Sequence, residues 1–506
     1  MGNINGFVRR QSQLVHESDP GDAFGAVNAT EIKYGLNNFN PSHEVERFSY
    51  TSGRVAKRVY NRYEKSSHQV IGYYTDWSQY DGRYENNYKD EQCGRGIDLM
   101  KLDPFAYDKL IIGFLGIVGD RGEKAITIDN AARDFDKKID EATFVDAWGD
   151  VASYRNCGFN RWVSNDYLAL FTQQTAQGVL GGLRKLKEKN PGLVLSFSVG
   201  GWTMSEAFYH MVRNQARRQT FVRSLQDIFS RFPMFTEVDI DWEYPGMMGN
   251  GNTFDDNDAD YFIELIKDIK AALPLVKVSI AAGASPAAIS KSNIPGMLEA
   301  GVEYINLMTY DFFGTPWAKK LAHHTNLFCL DNVDTESYGI DKSVDILLSA
   351  GVSPEKINIG YAAYTRNARN AVISSYSPLK GLYFPGNGTT TGTFESGSTE
   401  YYDLIYNYID FENQKGLNGF KVYTDKEANA DYLYNPDSQL FISFDSPRTV
   451  KAKGEYVKDR NLAGMFTWTA EMDNGILVNA AREGLGSKIQ SQVIDMSIFY
   501  FKGHSK

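Results

Sequence analysis

Short apolar runs alternate with segments of helical period along the chain from about residue 69 to residue 485. Eight of these runs have the length and composition of β-strands, and helices fit between several of them. Such alternation is typical of strand–helix units around a parallel sheet, and eight units predict an α/β fold, the (β/α)8 or TIM barrel. The predicted strands are 69–75, 109–118, 193–200, 235–244, 275–284, 303–311, 356–364 and 462–469, and the predicted helices include 165–189, 216–232 and 258–273.

The same pattern divides the chain into four parts. Residues 1–66 are polar and weakly periodic, which predicts an N-terminal extension ahead of a barrel at 67–371 and 448–486. Between the seventh and eighth strands, residues 372–447 are rich in Gly, Thr and Tyr and alternate like a small strand-rich insertion domain. Residues 487–506 form a C-terminal tail whose apolar SIFYF patch is expected to pack on the barrel, with association as the alternative.

The stretch at 235–246, FTEVDIDWEYPG, carries the candidate chemistry. On a strand, Glu237, Asp239, Asp241 and Glu243 share one face at a spacing of roughly 6.5 to 7 Å, opposite a strongly apolar face. The stretch contains no Lys or Arg, and a buried ladder of carboxylates cannot stay fully ionised, because like charges raise one another's pKa. The last carboxyl is therefore a candidate general acid. The alternative interpretation is a half-exposed strand with a solvated charged face.

Composition narrows the choice of ligand. Asp and Glu outnumber Lys and Arg by 63 to 53 in 506 residues, so the formal net charge is −10. Nucleic acid and anionic membrane surfaces are therefore not expected partners, and a neutral or cationic substrate fits better. The 31 Tyr, 30 Phe and 7 Trp include candidates for stacking on flat ligands such as sugar rings, although most must lie in the core.

No sequence pattern indicates a cofactor or a metal site. There is no glycine-rich phosphate loop after a strand, and the three cysteines are widely spaced. The adjacent His323 and His324 are interpreted as loop residues, because neighbours on a strand point apart and no carboxylate spacing accompanies them. No stretch approaches the length of a membrane span, and the N-terminus lacks the apolar region of an ordinary secretory signal.

At VDIDWEYPG the chain resembles the family 18 glycoside hydrolases, the chitinases. The family signature D-G-x-D-x-D-x-E is matched through Glu243, except that Thr236 and Glu237 replace its first Asp and its Gly. The insertion resembles the α+β insertion of deep-cleft bacterial chitinases of the Serratia chitinase A type, which implies cleavage from or near chain ends. Two more motifs match: S-x-G-G at 198–201 and M-x-Y-D at 308–311.

The resemblance implies a retaining mechanism in which the acetamido oxygen of the substrate is the nucleophile. It implies Glu243 as general acid and then base, and Asp241 as the group that hydrogen-bonds the acetamido N–H. Asp239 is expected to share proton and charge with Asp241, and Tyr310 to orient the acetamido oxygen. The candidate substrate-binding residues are Asp311, Trp468, Met308, Tyr364, Arg366, Trp317, Trp202 and Trp77.

Packing roles stay open for some of these residues. Met308 fits a supporting role, and Tyr310 and the tryptophans Trp468, Trp317, Trp202 and Trp77 also fit core positions.

The function expected from the resemblance is hydrolysis of β-1,4-linked N-acetylglucosamine polymers. One alternative is an endo-β-N-acetylglucosaminidase that cuts N-glycan cores, and another is a catalytically weak chitin-binding subunit. Since chitin lies outside the cell that makes the enzyme, export by a non-standard route is expected. The N-terminal extension and the missing signal also fit a chitinase carried within a larger assembly, such as a bacterial insecticidal toxin complex, with the extension as a possible contact for a protein partner.

Overall fold

Eight parallel strands, β1 to β8, close into a barrel in which β8 pairs with β7 on one side and with β1 on the other. The structure, a computed structural model, describes residues 12–16, 39–81, 94–331, 337–386 and 388–506. Every predicted strand is confirmed, with ends that differ by no more than three residues. The strands are β1 (Gln69–Thr75), β2 (Lys109–Ile117), β3 (Val194–Gly200), β4 (Phe235–Asp241), β5 (Lys277–Gly283), β6 (Val302–Met308), β7 (Ile357–Ala362) and β8 (Gly464–Trp468).

Helices pack around the barrel with their apolar sides inward. They include α1 (Gly178–Lys189), α2 (Gln215–Arg231), α3 (Asp258–Ala272), α4 (Ile340–Ser349), α5 (Pro447–Asp459) and α6 (Ile476–Gly484), together with Ala125–Asp134, Glu206–Val212, Pro286–Ser292 and Ile294–Ala300. In α2, Phe221, Leu225 and Ile228 are fully buried, at the spacing that predicted this helix. Among the described residues, no helix is both long and apolar enough to cross a membrane.

The prediction of one helix over 165–189 is wrong. The chain forms a short helix at Tyr167–Leu170, a non-helical connection, and then α1. Helix α1 begins at Gly178, where φ is +58° and a β-carbon would lie 2.3 Å from the carbonyl oxygen of Gly149. Only glycine fits this conformation and this contact, so packing against the loop after β2 interrupts the helical period.

The chain segment that connects β7 to β8 forms small antiparallel sheets. Four strands form one sheet in the order Arg366–Ala368, Leu440–Phe444, Ala430–Asn435 and Lys421–Asp425. Strands Val372–Tyr376 and Leu379–Leu382, which follow Arg366–Ala368 in the sequence, form a separate antiparallel hairpin. His323, in the segment after β6, is tied to the sheet by a 2.9 Å contact between its Nε2 and Asp425. The inserted sheet is therefore fastened to the C-terminal side of the barrel.

Both ends of the described chain pack on the barrel. Strand Arg62–Tyr63 pairs with Ile489–Ser491, so the N-terminal and C-terminal segments meet in one small sheet. The SIFYF patch packs as predicted, since Phe499 is fully buried against the main core. Residues 1–11 and 17–38 of the predicted extension lie outside the described residues, and its role as a partner contact stays a prediction.

Candidate active site

The carboxylate ladder lies where the barrel opens at the C-terminal ends of its strands. Asp239 and Asp241 are on β4, and Glu243 is in the turn that follows. Trp242 anchors that turn, because its ring stacks on Phe208 at a centroid distance of 5.4 Å. All three carboxyls are buried. Catalytic residues of this architecture gather at the same face of the barrel.

Asp239 is surrounded by four hydrogen-bond donors. Its Oδ2 accepts from the hydroxyls of Tyr73 at 2.9 Å and Ser198 at 2.8 Å. Its Oδ1 accepts from the Ser279 hydroxyl at 2.5 Å and the Asn306 amide at 3.2 Å. Burial raises the pKa of Asp239, and the three hydroxyl bonds oppose that rise. Because these donors can occupy the lone pairs of both oxygens, the hydrogen bonds favour the carboxylate form of Asp239 against the effect of burial.

A second amide sets the direction of the Asn306 side chain. Asn358 Nδ2 donates to Asn306 Oδ1 at 3.0 Å. Asn306 Nδ2 is thereby left to face Asp239 and the Tyr73 oxygen, which it reaches at 3.0 Å. The network around Asp239 thus extends across β6 and β7.

Asp241 and Glu243 have a different environment. Burial, followed by the negative charges of Glu243 and Asp239, raises the pKa of Asp241 well above its ordinary value. Asp241 Oδ1 is buried and has no hydrogen-bond partner within the described chain, which costs less for a neutral carboxyl than for a carboxylate. Burial also raises the pKa of Glu243 to about 7, opposed by a hydrogen bond from Tyr244 and aided by the charge of Asp311. Two members of the ladder can therefore hold a proton near neutral pH.

The structure brings the predicted residues Trp468, Tyr310 and Met308 together. Trp468, at the end of β8, is half-buried and stacks on Phe114 at 5.4 Å with an interplanar angle of 21°. Its ring also lies 5.9 Å from the ring of Tyr73. Tyr310 and Met308 pack with Trp468 against one apolar cluster inside the barrel. Trp468, Tyr310 and Met308 thus form the floor of the site, and the Tyr73 hydroxyl connects this floor to the ladder.

A second group of predicted residues forms around Asp311. Arg366 Nε and Nη2 donate to its two oxygens at 2.7 and 2.8 Å, and the Tyr364 hydroxyl donates at 2.8 Å. Although burial opposes it, the charge of Arg366 holds the pKa of Asp311 below its ordinary value. The Trp317 ring centre lies 5.2 Å from the guanidinium carbon of Arg366. The structure adds His324, which is buried with Nδ1 3.8 Å from Asp311 Oδ1.

Three predicted tryptophans face solvent. Trp317 is 55% exposed, Trp202 is 49% exposed and Trp77 is 40% exposed. Trp202 lies two residues after the end of β3, and the Trp77 ring centre lies 5.9 Å from the guanidinium carbon of Arg95. Their exposure excludes the core alternative and leaves the rings available for stacking on a ligand.

Sequence reasoning missed the partners that other strands supply to β4. Ser279 and Asn306 lie inside apolar runs on β5 and β6, where the available signal was a polar residue at an inward position of each strand. The stretch 235–246 itself has no Lys or Arg, but another strand supplies a cation to its acidic face. Lys109, on β2, forms a buried ion pair with Glu237. That pairing depends on strand order, which the local sequence does not contain.

Fold and site together are those of a glycoside hydrolase: a barrel mouth with a buried acid, neighbouring carboxyls and an aromatic floor. Residues 69–473 match the family described as Glycosyl hydrolases family 18. The chain belongs to this family.

Similar proteins cover nearly the whole chain. Chitinase 1 of Yersinia entomophaga is 42% identical over 515 residues, covering 97% of this chain and 95% of that protein. Chitinase 2 of the same organism is 38% identical over 507 residues, covering 92% and 79%. A solved structure, described as the chitinase Chi1 fitted into the structure of the Yersinia entomophaga toxin complex, superposes with a TM-score of 0.92 at 42% identity. It covers 97% of this chain and 100% of that one.

Proposed function

We propose that this protein is a chitinase that hydrolyses β-1,4-linked N-acetylglucosamine polymers with retention of configuration. The acetamido oxygen of the substrate acts as the nucleophile, as in other family 18 enzymes. The observation that carries the proposal is the unequal hydrogen bonding along the buried ladder. Asp239 accepts four hydrogen bonds, whereas Asp241 Oδ1 has no partner among the described residues, and burial raises the pKa of Glu243 to about 7.

Glu243 is the general acid and base in this proposal. Its pKa of about 7 leaves a large fraction of the molecules protonated at neutral pH, ready to protonate the leaving glycosidic oxygen. After the proton is transferred, the same group is a carboxylate that can activate water. Burial matters to both steps, because it raises the pKa from the ordinary range of a glutamic acid.

Asp241 and Tyr310 act on the acetamido group. Asp241 has an unpartnered oxygen within the ladder, which suits a hydrogen bond with the acetamido N–H. The negative charge of Asp239 lies one strand repeat away and stabilises the positive charge that develops on the sugar. Tyr310 packs against the floor beside Trp468, where its hydroxyl orients the acetamido oxygen for attack. Proximity of this internal nucleophile lowers the barrier without a covalent enzyme intermediate.

Sugar binding is assigned to the floor and the Asp311 group. Trp468 offers a flat face under the sugar at the cleavage point, supported from below by Phe114. Asp311 is fixed by its paired bonds to Arg366 and can hydrogen-bond a sugar hydroxyl without reorienting. The exposed Trp317, Trp202 and Trp77 are platforms for sugars farther along the chain.

Similarity supports chitin as the polymer, since the relatives of highest identity described above are named chitinases. An endo-β-N-acetylglucosaminidase would use the same acid and floor, so the substrate experiment below includes a glycoprotein. A weak chitin-binding subunit is disfavoured by the intact ladder, in which the acid Glu243 retains its burial and raised pKa.

We also propose that the protein acts outside the cell as part of a larger assembly. This rests on its similarity over almost the full chain to a chitinase fitted into a toxin complex. Under this proposal, export depends on a protein partner.

The test compares wild type with Glu243→Gln on soluble N-acetylglucosamine oligomers and on an N-glycosylated protein, with anomeric analysis of the products. Wild type should release β-anomers from the oligomers, and Glu243→Gln should lose at least about 10³-fold in kcat while still binding oligomers. Glu206→Gln is the matched control, because Glu206 is also buried and accepts from Thr253 at 2.6 Å outside the ladder. If wild type releases glycan from the N-glycosylated protein but does not cleave the oligomers, the substrate is an N-glycan and not chitin. Comparable turnover by wild type and Glu243→Gln would show that Glu243 is not the general acid.

A further inference from the structure

The backbone of Glu243 lies beyond the end of the barrel sheet. Strand β4 ends at Asp241, which is in register with Gly200 on β3. Glu243 is two residues further along the chain and is 8% exposed. Buried backbone N–H and C=O groups need hydrogen-bond partners, so groups outside the strands must supply them at this residue.

Two buried side chains supply those partners. The Ser205 hydroxyl accepts from the Glu243 N–H at 3.0 Å, and Asn252 Nδ2 donates to the Glu243 carbonyl oxygen at 3.0 Å. Ser205 lies in the loop after β3 and Asn252 in the loop after β4, and the two residues are 1% and 7% exposed. A β-carbon at Gly249 would lie 2.1 Å from the same carbonyl oxygen, so only glycine lets the second loop approach this closely. The two loops therefore hold the Glu243 backbone from both sides.

The Ser205 hydroxyl does not cap its own helix. Ser205 is the N-cap residue of the helix Glu206–Val212, a position at which a serine hydroxyl usually accepts from an N–H of the first turn. Its side chain makes no such bond. The hydroxyl oxygen accepts from Glu243 instead, and its proton points to the carbonyl oxygens of Gly201 at 2.8 Å and Asp241 at 3.2 Å. The side chain therefore serves the Glu243 peptide and not the helix that it begins.

Holding both backbone groups sets the direction of the Glu243 side chain. The N–H and the C=O belong to the two rigid peptide planes that flank the α-carbon. With both planes held, the Cα–Cβ bond has one direction, and only the staggered side-chain torsions remain to be chosen. A general acid must lie within hydrogen-bond distance of the leaving oxygen, and a displacement of about 1 Å can cost about 100-fold in rate. The two hydrogen bonds thus determine where the carboxyl group can reach.

We propose that Ser205 and Asn252 are positioning residues for the general acid. Together they hold the Glu243 backbone so that its carboxyl lies at the leaving oxygen of a bound sugar chain. Both act through Glu243 and transfer no proton themselves. The inference rests on the proposed function, because the position of Glu243 matters to the rate only if Glu243 is the acid.

The test measures kcat, KM and the pH dependence of kcat/KM on N-acetylglucosamine oligomers for Ser205→Ala and for Asn252→Ala. Each variant removes one of the two bonds, and we expect kcat to fall about 10- to 100-fold while KM changes by less than about 3-fold. The basic limb of the pH profile should stay in place, because Glu243 remains buried and only its position changes. Ser205→Thr keeps the hydroxyl and should retain most of the wild-type kcat.

Ser224→Ala is the matched control. Ser224 is 2% exposed, and its hydroxyl also accepts from one backbone N–H, that of Ala142 at 2.8 Å, and donates to one backbone carbonyl, that of Phe221 at 2.6 Å. It lies on α2, on the outside of the barrel. Ser224→Ala should lower the urea midpoint by about as much as Ser205→Ala does, since both remove a buried hydroxyl, and it should leave kcat unchanged.

Wild-type kcat in a folded Ser205→Ala or Asn252→Ala enzyme overturns the inference. A basic limb that moves downward also overturns it, since the loss would then come from hydration of the carboxyl. An equal loss of kcat in Ser224→Ala overturns it as well, because the effect would be general. If one of the two variants does not fold, the other decides the question, because each removes a separate bond. Absence of oligomer hydrolysis by wild type refutes the proposed function instead, so the two failures are distinguishable.

Discussion

Replacing Gly360 by alanine tests whether the position of the Tyr310 ring controls the reaction. A β-carbon at Gly360, within β7, would lie 2.7 and 2.9 Å from two carbons of that ring and 3.1 Å from Phe466 Cζ. Ordinary contact begins at 3.4 Å, so the Tyr310 ring must retreat by about 0.7 Å. The Tyr310 ring is half-buried, whereas Phe466 is fully buried, so we expect Tyr310 to be the side chain that moves.

We expect this overpacking to lower the free energy of unfolding by about 1 to 3 kcal/mol. The displaced hydroxyl should lower kcat about 10- to 100-fold, with a smaller change in KM, because orientation of the acetamido oxygen contributes mainly to the chemical step. The measurements are urea unfolding and steady-state kinetics on N-acetylglucosamine oligomers. Gly192→Ala is the control, since its β-carbon would meet only flexible side chains on the surface. A destabilised Gly360→Ala enzyme with wild-type kcat would refute the reasoning and leave Tyr310 a packing residue.

Two further predictions concern Asp311. Asp311→Asn removes a negative charge that helps to raise the pKa of Glu243, so the basic limb of the kcat/KM profile should fall by about half a pH unit. If the basic limb does not move, the raised pKa of Glu243 is due to burial alone. Arg366→Gln removes the charge that holds the pKa of Asp311 low. A lowered pKa stabilises the fold above the ordinary carboxyl pKa of about 4, and this contribution is lost as pH falls. The urea midpoint should therefore drop at pH 7, with a smaller difference from wild type at pH 3; equal differences would indicate lost packing instead.

The acidic strand shows how much of the site the local sequence pattern can predict. Alternation placed Asp239 and Asp241 on one face of a strand, and burial confirmed that the face is interior. The turn residues after it put Glu243 beyond the strand end, at the mouth of the barrel. The prediction of one helix over 165–189 shows where local pattern fails. The contact that interrupts the helical period at Gly178 comes from a loop about 30 residues away in sequence.

The sequence by itself determined the eight strands, their order along the chain and the residues able to carry acid chemistry. These follow from periods of two and 3.6 residues, which are properties of neighbouring positions. Only the tertiary structure decided which carboxyl is surrounded by hydrogen-bond donors, because the donors to Asp239 come from β1, β3, β5 and β6. It also decided that Lys109 meets Glu237 and that Gly360 makes room for Tyr310. Charge and contact depend on distance in space, and barrel closure brings together strands that the chain keeps far apart.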